Sequence, residues 1–396
     1  MGYRSKREHA MRTAQHTLRT LCALLGLGLL MGWAHAAHAQ VGGAAVLFLQ
    51  IEPDSRAAGM GNAGVAVADN AYALFWNPAG LAYQPEAVEV SLTHSNWLPE
   101  FNAGLYYEYL VGRFSVGKFG NMGAHVTLLN MGEHEWRDEN NNPLGTFRSY
   151  DVAVGVSYGY PISEQLALGV GLRYIYSNLA SGIQVEGRET KAGKSFGMDL
   201  GLLYRTAPFS LGGQTKAQFS AGFNLNNMGP QIQYSDGAQK DPIPTNLRFG
   251  YAFTIDLDPY NRITFANDFT KLLIRVRSDS TGSRADPFYK AIFTAWRPIK
   301  VRTNALNEEE ARYRTLSVFE QLMIGMGVEY WYNQLFALRT GFFYENPYNG
   351  NRQFLTFGAG LRYNILGVDF SYVYALKENH PLANTMRFSL LLNFKK

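Results

Sequence analysis

Residues 150–160 read Tyr-Asp-Val-Ala-Val-Gly-Val-Ser-Tyr-Gly-Tyr, a run with a strict period of two. Val152, Val154, Val156, Tyr158 and Tyr160 fall on one side, and Asp151, Ala153, Gly155, Ser157 and Gly159 on the other. Successive side chains of a strand point to opposite faces, so this is a strand with one greasy and one small or polar face. After a turn over residues 161–165, Leu168, Val170, Leu172, Tyr174 and Tyr176 oppose Gly169, Gly171 and Arg173 in the same way. The division recurs to the end of the chain, and fourteen candidate strands can be counted between Ala87 and Phe394. The second is expected over residues 103–110, the third over 120–136 and the fourth over 147–160.

A soluble sandwich would turn the greasy rows inward and carry Lys, Glu and Thr on the wet face. Here the other face is mostly Gly, Ala and Ser with isolated Arg and Asp, and Tyr and Phe gather towards the ends of the greasy rows. These are the marks of an all-β fold in which a transmembrane antiparallel β-barrel meets lipid with its greasy face. An even strand number places both termini on the periplasmic side. The longest and most polar connections follow odd strands, at residues 137–146, 179–194 and 229–243, and several after even strands are tight, which puts the odd ones outside the cell.

The first 39 residues hold five of the 36 basic and one of the 32 acidic residues, leaving 31 of each in the remainder. A neutral body has no basic stripe for neutralising phosphates, so nucleic acid is not an expected partner. The leader reads as a secretory signal: a basic start, an apolar run over residues 21–34, and Ala37-His38-Ala39 as a small-x-small cleavage site before Gln40. Its apolar run is shorter than the roughly 18 to 20 residues that span a bilayer as a helix. The only cysteine, Cys22, lies within the 39-residue leader, as do four of the eight histidines. No disulfide, metal cluster or cofactor site is therefore expected in the mature chain.

Two stretches do not alternate. Residues 41–85 are rich in Ala, Gly and Asn but include Leu47, Phe48, Leu49, Ile51, Leu74, Phe75 and Trp76. Such side chains need burial, which favours an N-terminal plug folded into the lumen over a solvated tail. The expected division is a signal peptide at 1–39, a plug at 40–86 and a barrel at 87–396. The connection over residues 274–320 is longer than closing a hairpin needs. It carries Phe288, Tyr289, Phe293 and Trp296, aromatic anchors of the kind that dominate protein interfaces, with a short helix expected near residues 287–296.

Several patterns invite chemistry and have plainer readings. Gly59, Gly61 and Gly64 match G-x-G-x-x-G, but Pro53 precedes them and Pro78 and Gly80 interrupt the region where the next strand of a dinucleotide unit should run, so tight turning is expected. Asp138, Asn140 and Asn142 have calcium-loop spacing without the required Gly and Glu, and are read as an outer turn. His125 and Thr127 share one strand face, as a deacylase pair could, but activation would also require a third orienting group, and a half-polar strand often places His near Thr by chance. No catalytic residue is assigned. Asp151, Arg173, Asp199, Arg205, Arg248, Glu329, Arg339, Arg362, Asp369 and Arg387 are expected inside, as salt-bridged filling rather than an ion pathway.

Residues 51–61 (Ile-Glu-Pro-Asp-Ser-Arg-Ala-Ala-Gly-Met-Gly), 75–81 (Phe-Trp-Asn-Pro-Ala-Gly-Leu), 243–248 (Ile-Pro-Thr-Asn-Leu-Arg) and 384–388 (Asn-Thr-Met-Arg-Phe) carry a family likeness. The chain resembles fatty-acid-transporter-like outer-membrane barrels, and more specifically the PorV family of the type IX secretion system. That resemblance assigns the plug motif to Arg56, Gly59, Gly61, Asn77, Pro78 and Gly80. It implies an outer-membrane protein in contact with membrane lipid that binds the C-terminal signal domains of secreted cargo, docks on the SprA translocon and delivers cargo to the PorU sortase complex, where the chemistry resides. The alternative it leaves open is a channel for hydrophobic substrates, which requires a continuous apolar cavity beside the plug, whereas shuttling requires a filled lumen and an apolar outer-loop surface. One departure is the end of the chain, where Lys395 and Lys396 follow Phe394.

Overall fold

The computed structural model describes residues 43–394, apart from 85–86, 102, 138–139, 186–187, 237–239, 280–281, 304–311 and 379. The expected leader, Asp138, Lys395 and Lys396 lie outside the described residues.

Fourteen long strands follow one another: β1 Val88–Asn96, β2 Tyr106–Ser115, β3 Asn121–Arg137, β4 Pro143–Pro161, β5 Leu166–Asn178, β6 Gly193–Arg205 and β7 Thr215–Met228. They continue with β8 Asn246–Asp256, β9 Asn261–Leu272, β10 Leu322–Tyr332, β11 Phe336–Tyr344, β12 Gln353–Tyr363, β13 Leu366–Ala375 and β14 Met386–Phe394. Each pairs antiparallel with its neighbours in sequence, and β14 pairs back onto β1 from Val88↔Phe394 to Ser95↔Arg387. The sheet is a closed antiparallel β-barrel, which leaves no edge with unpaired backbone groups in lipid.

Burial inverts that of a soluble protein. On β4 the small and polar row Asp151, Ala153, Ser157 is buried, while Val154 is 48% and Val156 54% exposed. The same inversion runs around the barrel: Leu168, Val170, Leu172, Leu338 and Leu390 are exposed, and Arg173, Asp199, Glu329, Arg339 and Asp369 are buried. Only lipid solvates such an outer face favourably, since leaving it in water forgoes roughly 25 cal/mol per Å² of apolar surface.

Three local expectations are corrected. Strand β2 runs five residues past Leu110, because Arg113 on its inward row meets Glu89 of β1 at 3.4 Å, and a charge that disrupts the apolar alternation is still a good lumenal residue. Residues 137–146 are not a loop throughout. Strand β4 begins at Pro143 and pairs with β3 as far as Arg137, beyond a register shift between Asn130 and Glu133. Above that shift the hairpin is polar, with Arg148 and Glu133 paired at 3.3 Å. The long connection between β9 and β10 contains two hairpins that alternation did not signal, Val276–Asp279 with Gly282–Ala285 and Ile299–Arg302 with Tyr313–Leu316.

Residues 43–84 form no strand. They wind through short helical turns, including α1 Ser55–Ala58, α2 Ala73–Trp76 and a 3-10 helix over Pro78–Tyr83. Their apolar side chains Phe48, Leu49, Leu74, Trp76 and Leu81 are buried together with Tyr107, Tyr109 and Val111 of β2. The segment thus occupies the space that the small inward residues leave.

Candidate functional site

Among the described residues, chemistry-bearing side chains come together at the contact between residues 43–84 and the inner wall, and in the long connection between β9 and β10.

At the first, Arg56 at the second position of α1 reaches β10, donating from Nε and Nη2 to the two oxygens of Glu329 at 2.8 and 2.7 Å, and it also pairs with Asp69. Glu329 accepts in turn from Arg339 of β11 at 2.7 Å, Arg339 donates to Asp369 of β13 at 2.8 Å, and Asp369 accepts from Arg362 of β12 at 2.6 Å. The alternating chain ties four strands to the segment. Asp54 caps α1 by accepting from the Arg56 backbone N–H at 2.9 Å.

The glycine motif is held by the wall. Gly61 has φ +65°, and a Cβ there would stand 2.5 Å from the carbonyl oxygens of Met326 and Phe342. Its N–H donates to Thr356 Oγ1 at 2.9 Å, and the Gly64 and Val65 N–H groups donate to Asp268 at 2.7 and 2.9 Å. Donors that would cradle a phosphate in a dinucleotide site are spent on this wall, so the tight-turn reading stands. Gly59 lies against the backbone of Gly358. Asn77 accepts from the Ala79 N–H at 3.2 Å and donates to Leu202 O at 3.0 Å, Pro78 opens the 3-10 turn, and Gly80 presses on the backbone of Ala68. All six motif residues are therefore structural elements of one seated segment.

Sequence reading missed Asp268, Thr356 and Asn224, whose amide donates to Trp76 O at 2.9 Å. Their signal was position alone, since each lies on the inward row of its strand. The expected salt-bridged filling is also only part of the interior. Arg173 and Asp199 form an ion pair, but Arg248 lies over the rings of Phe75 and Trp76 at 4.6 and 5.0 Å, and Arg205 over Tyr83 at 5.0 Å. His125 stacks on Tyr109 with ring centroids 5.3 Å apart, and its Nδ1 has no hydrogen-bond partner, so that nitrogen does not accept from the Thr127 hydroxyl.

At the second place, α3 Phe288–Thr294 falls within the expected helix. It buries Ala291, and Ala295 just beyond it, against the protein. Tyr289, Phe293 and Trp296, spaced i, i+4, i+7 on the opposite side, are 65%, 77% and 43% exposed. That is the reverse of an ordinary amphipathic helix, whose large apolar residues face the core. Phe288 is half-buried and packs edge-on against Tyr289. The helix is anchored by buried Asp286, which accepts from Thr294 Oγ1 at 2.7 Å and pairs with Arg277 at 3.0 Å and Lys290 at 3.6 Å. Burial opposes the Asp286 charge, but these hydrogen bonds and cations prevail and hold its carboxyl below the usual range. Residues 229–243 reach the long connection where Gln231 Nε2 donates to Ala285 O at 3.0 Å, and they are joined to residues 179–194 by the Thr190↔Ser235 bridge and by Lys191 N–H donating to Tyr234 O at 2.7 Å.

A closed fourteen-stranded barrel with an apolar outer face and a polar, occupied interior defines the class: an outer-membrane-type β-barrel protein. Residues 34–279 match the family described as type IX secretion system protein PorV, and the chain belongs to that family. No curated protein matches it at the sequence level. Among solved structures it is similar to the toluene transporter TbuX of Ralstonia pickettii (16% identity, 87% of this chain and 98% of that one, TM-score 0.47). It is also similar to the toluene transporter TodX of Pseudomonas putida (12%, 85% and 95%, 0.43) and a FadL homologue of Pseudomonas aeruginosa (10%, 90% and 100%, 0.41).

Proposed function

We propose that this protein works in the outer membrane of a Gram-negative bacterium as the cargo-capturing component of type IX secretion. It binds the C-terminal domains of secreted proteins on its long outer connections, receives them at the SprA translocon and passes them to the PorU-containing attachment complex, with no catalysis of its own. The observation that carries this reading is the exposed Tyr289, Phe293 and Trp296 face, set on a helix whose anchor is internal to the connection. Large aromatic side chains left in water lose hydrophobic free energy that a partner surface recovers, and such anchors dominate interface energetics. The interior fits the same reading: the recess of about 630 Å³ beside Arg56 is lined by Asp69, Glu89, Arg205, Arg262 and Arg362, a setting unsuited to hydrocarbon. Residues 43–84 then act as a permanent plug.

Replacing Phe293 and Trp296 together by Ala should weaken binding of a purified cargo C-terminal domain by at least about 2 kcal/mol, with barrel assembly unchanged. Calorimetry on the detergent-solubilised protein measures it. Undiminished affinity would move the cargo site to residues 179–194 and 229–243.

A further inference from the structure

At the mouth that carries the long connections, a recess of about 490 Å³ lies between the start of residues 43–84, the end of β9 and the two hairpins of the long connection. Among the described residues, five cationic side chains line it, Lys271, Arg275, Lys300, Arg302 and Arg352, and two carboxylates, Asp241 and Glu345; Arg302 has a partner of its own. Glu345 is already held by Arg352 at 2.6 Å.

Lys271 is the unusual member. It is 4% exposed, and no carboxylate among the described residues stands at salt-bridge distance from it. Its ammonium donates to Leu272 O at 3.0 Å and to Gln321 Oε1 at 2.9 Å, two neutral acceptors. The Gln321 amide cannot turn away, because its Nε2 donates to the carbonyls of Arg297, Leu316 and Ser317 at 3.1 to 3.3 Å. An ammonium has three donors, so one is left for the recess. Neutral acceptors recover only part of the several kcal/mol that burying a charge costs, and the neighbouring Arg275 adds a like charge. The fold therefore fixes a cation here, with a dedicated amide, and among the described residues supplies no anion for it.

We infer that this recess is an oxyanion-binding site in which Lys271, oriented by Gln321 and assisted by Arg275 and Lys300, holds a carboxylate or phosphate group. A volume of this size admits a small-molecule group or the end of a chain. The cation cluster provides charge-assisted hydrogen bonds that are shorter and roughly twice as strong as neutral ones.

Titration of the full-length mature protein in detergent with inorganic phosphate, and separately with acetate, tests the site and separates the two sources of the group. Saturable binding of one equivalent of either anion is expected, weakened at least about tenfold in Lys271→Met and about threefold in Arg275→Gln. Met matches the Lys stem and removes the uncompensated charge, and unchanged heat-modifiable migration shows that the barrel is intact. Arg275→Gln lies outside the strands and keeps the test decisive if Lys271→Met fails to fold. Absence of saturable binding to the wild type, or equal binding by folded Lys271→Met, overturns the inference. A preference for phosphate or for acetate, lost in the same variants, identifies which oxyanion the recess takes.

Discussion

At the scale of single residues, Arg56 and Gly61 decide whether residues 43–84 stay seated. Glu329 is fully buried and divides its charge between Arg56 and Arg339. Arg56→Ala leaves Glu329 half-compensated and Asp69 without its partner, which should cost about 3 to 5 kcal/mol, as for other broken buried pairs. The expected readout is a lower unfolding temperature on heat-modifiable gels together with new protease cleavage within residues 43–84. Gly61→Ala acts by a different route, since its Cβ would collide with two wall carbonyls and its φ of +65° disfavours a side chain. It should expose the segment to protease without altering any charge. His125→Ala removes the stacking contact on Tyr109 and should leave secretion intact, at a packing cost of about 1 to 3 kcal/mol. Loss of secretion by a normally assembled His125→Ala barrel would restore a catalytic role for the imidazole.

At the scale of the element, α3 is too short to persist alone, because nucleating a helix costs more than its few hydrogen bonds return. Asp286 compensates by binding Lys290 and Thr294 within the helix and Arg277 before it. Its carboxyl is held below the usual range, so the anchoring is fully present at neutral pH and is lost as pH falls through the lowered folded-state value. Asp286→Asn should reproduce at pH 7 what acid does to the wild type: faster proteolysis between β9 and β10 and weaker cargo capture, with the fourteen strands unaffected. Equal protease resistance of the two proteins at pH 7 would remove Asp286 as the anchor.

For the whole molecule, barrel and segment are complementary in volume and charge. Gly341 lies so close to the segment that a Cβ there would stand 2.1 Å from Gly61 N, and a Cβ at Gly169 would stand 2.1 Å from Ala79 N. The inner wall is packed against residues 43–84 at these points. Intact protein in planar bilayers should conduct ions poorly, and deletion of residues 43–84 should give large, steady currents and a less stable barrel, since Glu329, Asp268 and Thr356 lose partners. Large conductance of the intact protein would contradict the plug.

The sequence by itself determined the strand number, the inverted faces and the charged interior. A period of two over about ten residues is a local property, and the composition of each row tells lipid from lumen without reference to neighbours. Val154 and Asp151 could be assigned to opposite faces from residues 150–160 alone. The extension of β2 through Arg113, the hairpins of the long connection and the partners of Arg56 were decided only by tertiary structure. Arg56 and Glu329 are 273 residues apart, and nothing local specifies which inward carboxylate an inward arginine will meet. Likewise, Lys271 reads as one more strand residue until β9, the long connection and residues 43–84 close around it. Solvation of a charge depends on everything packed near it, and that is settled by the assembled barrel.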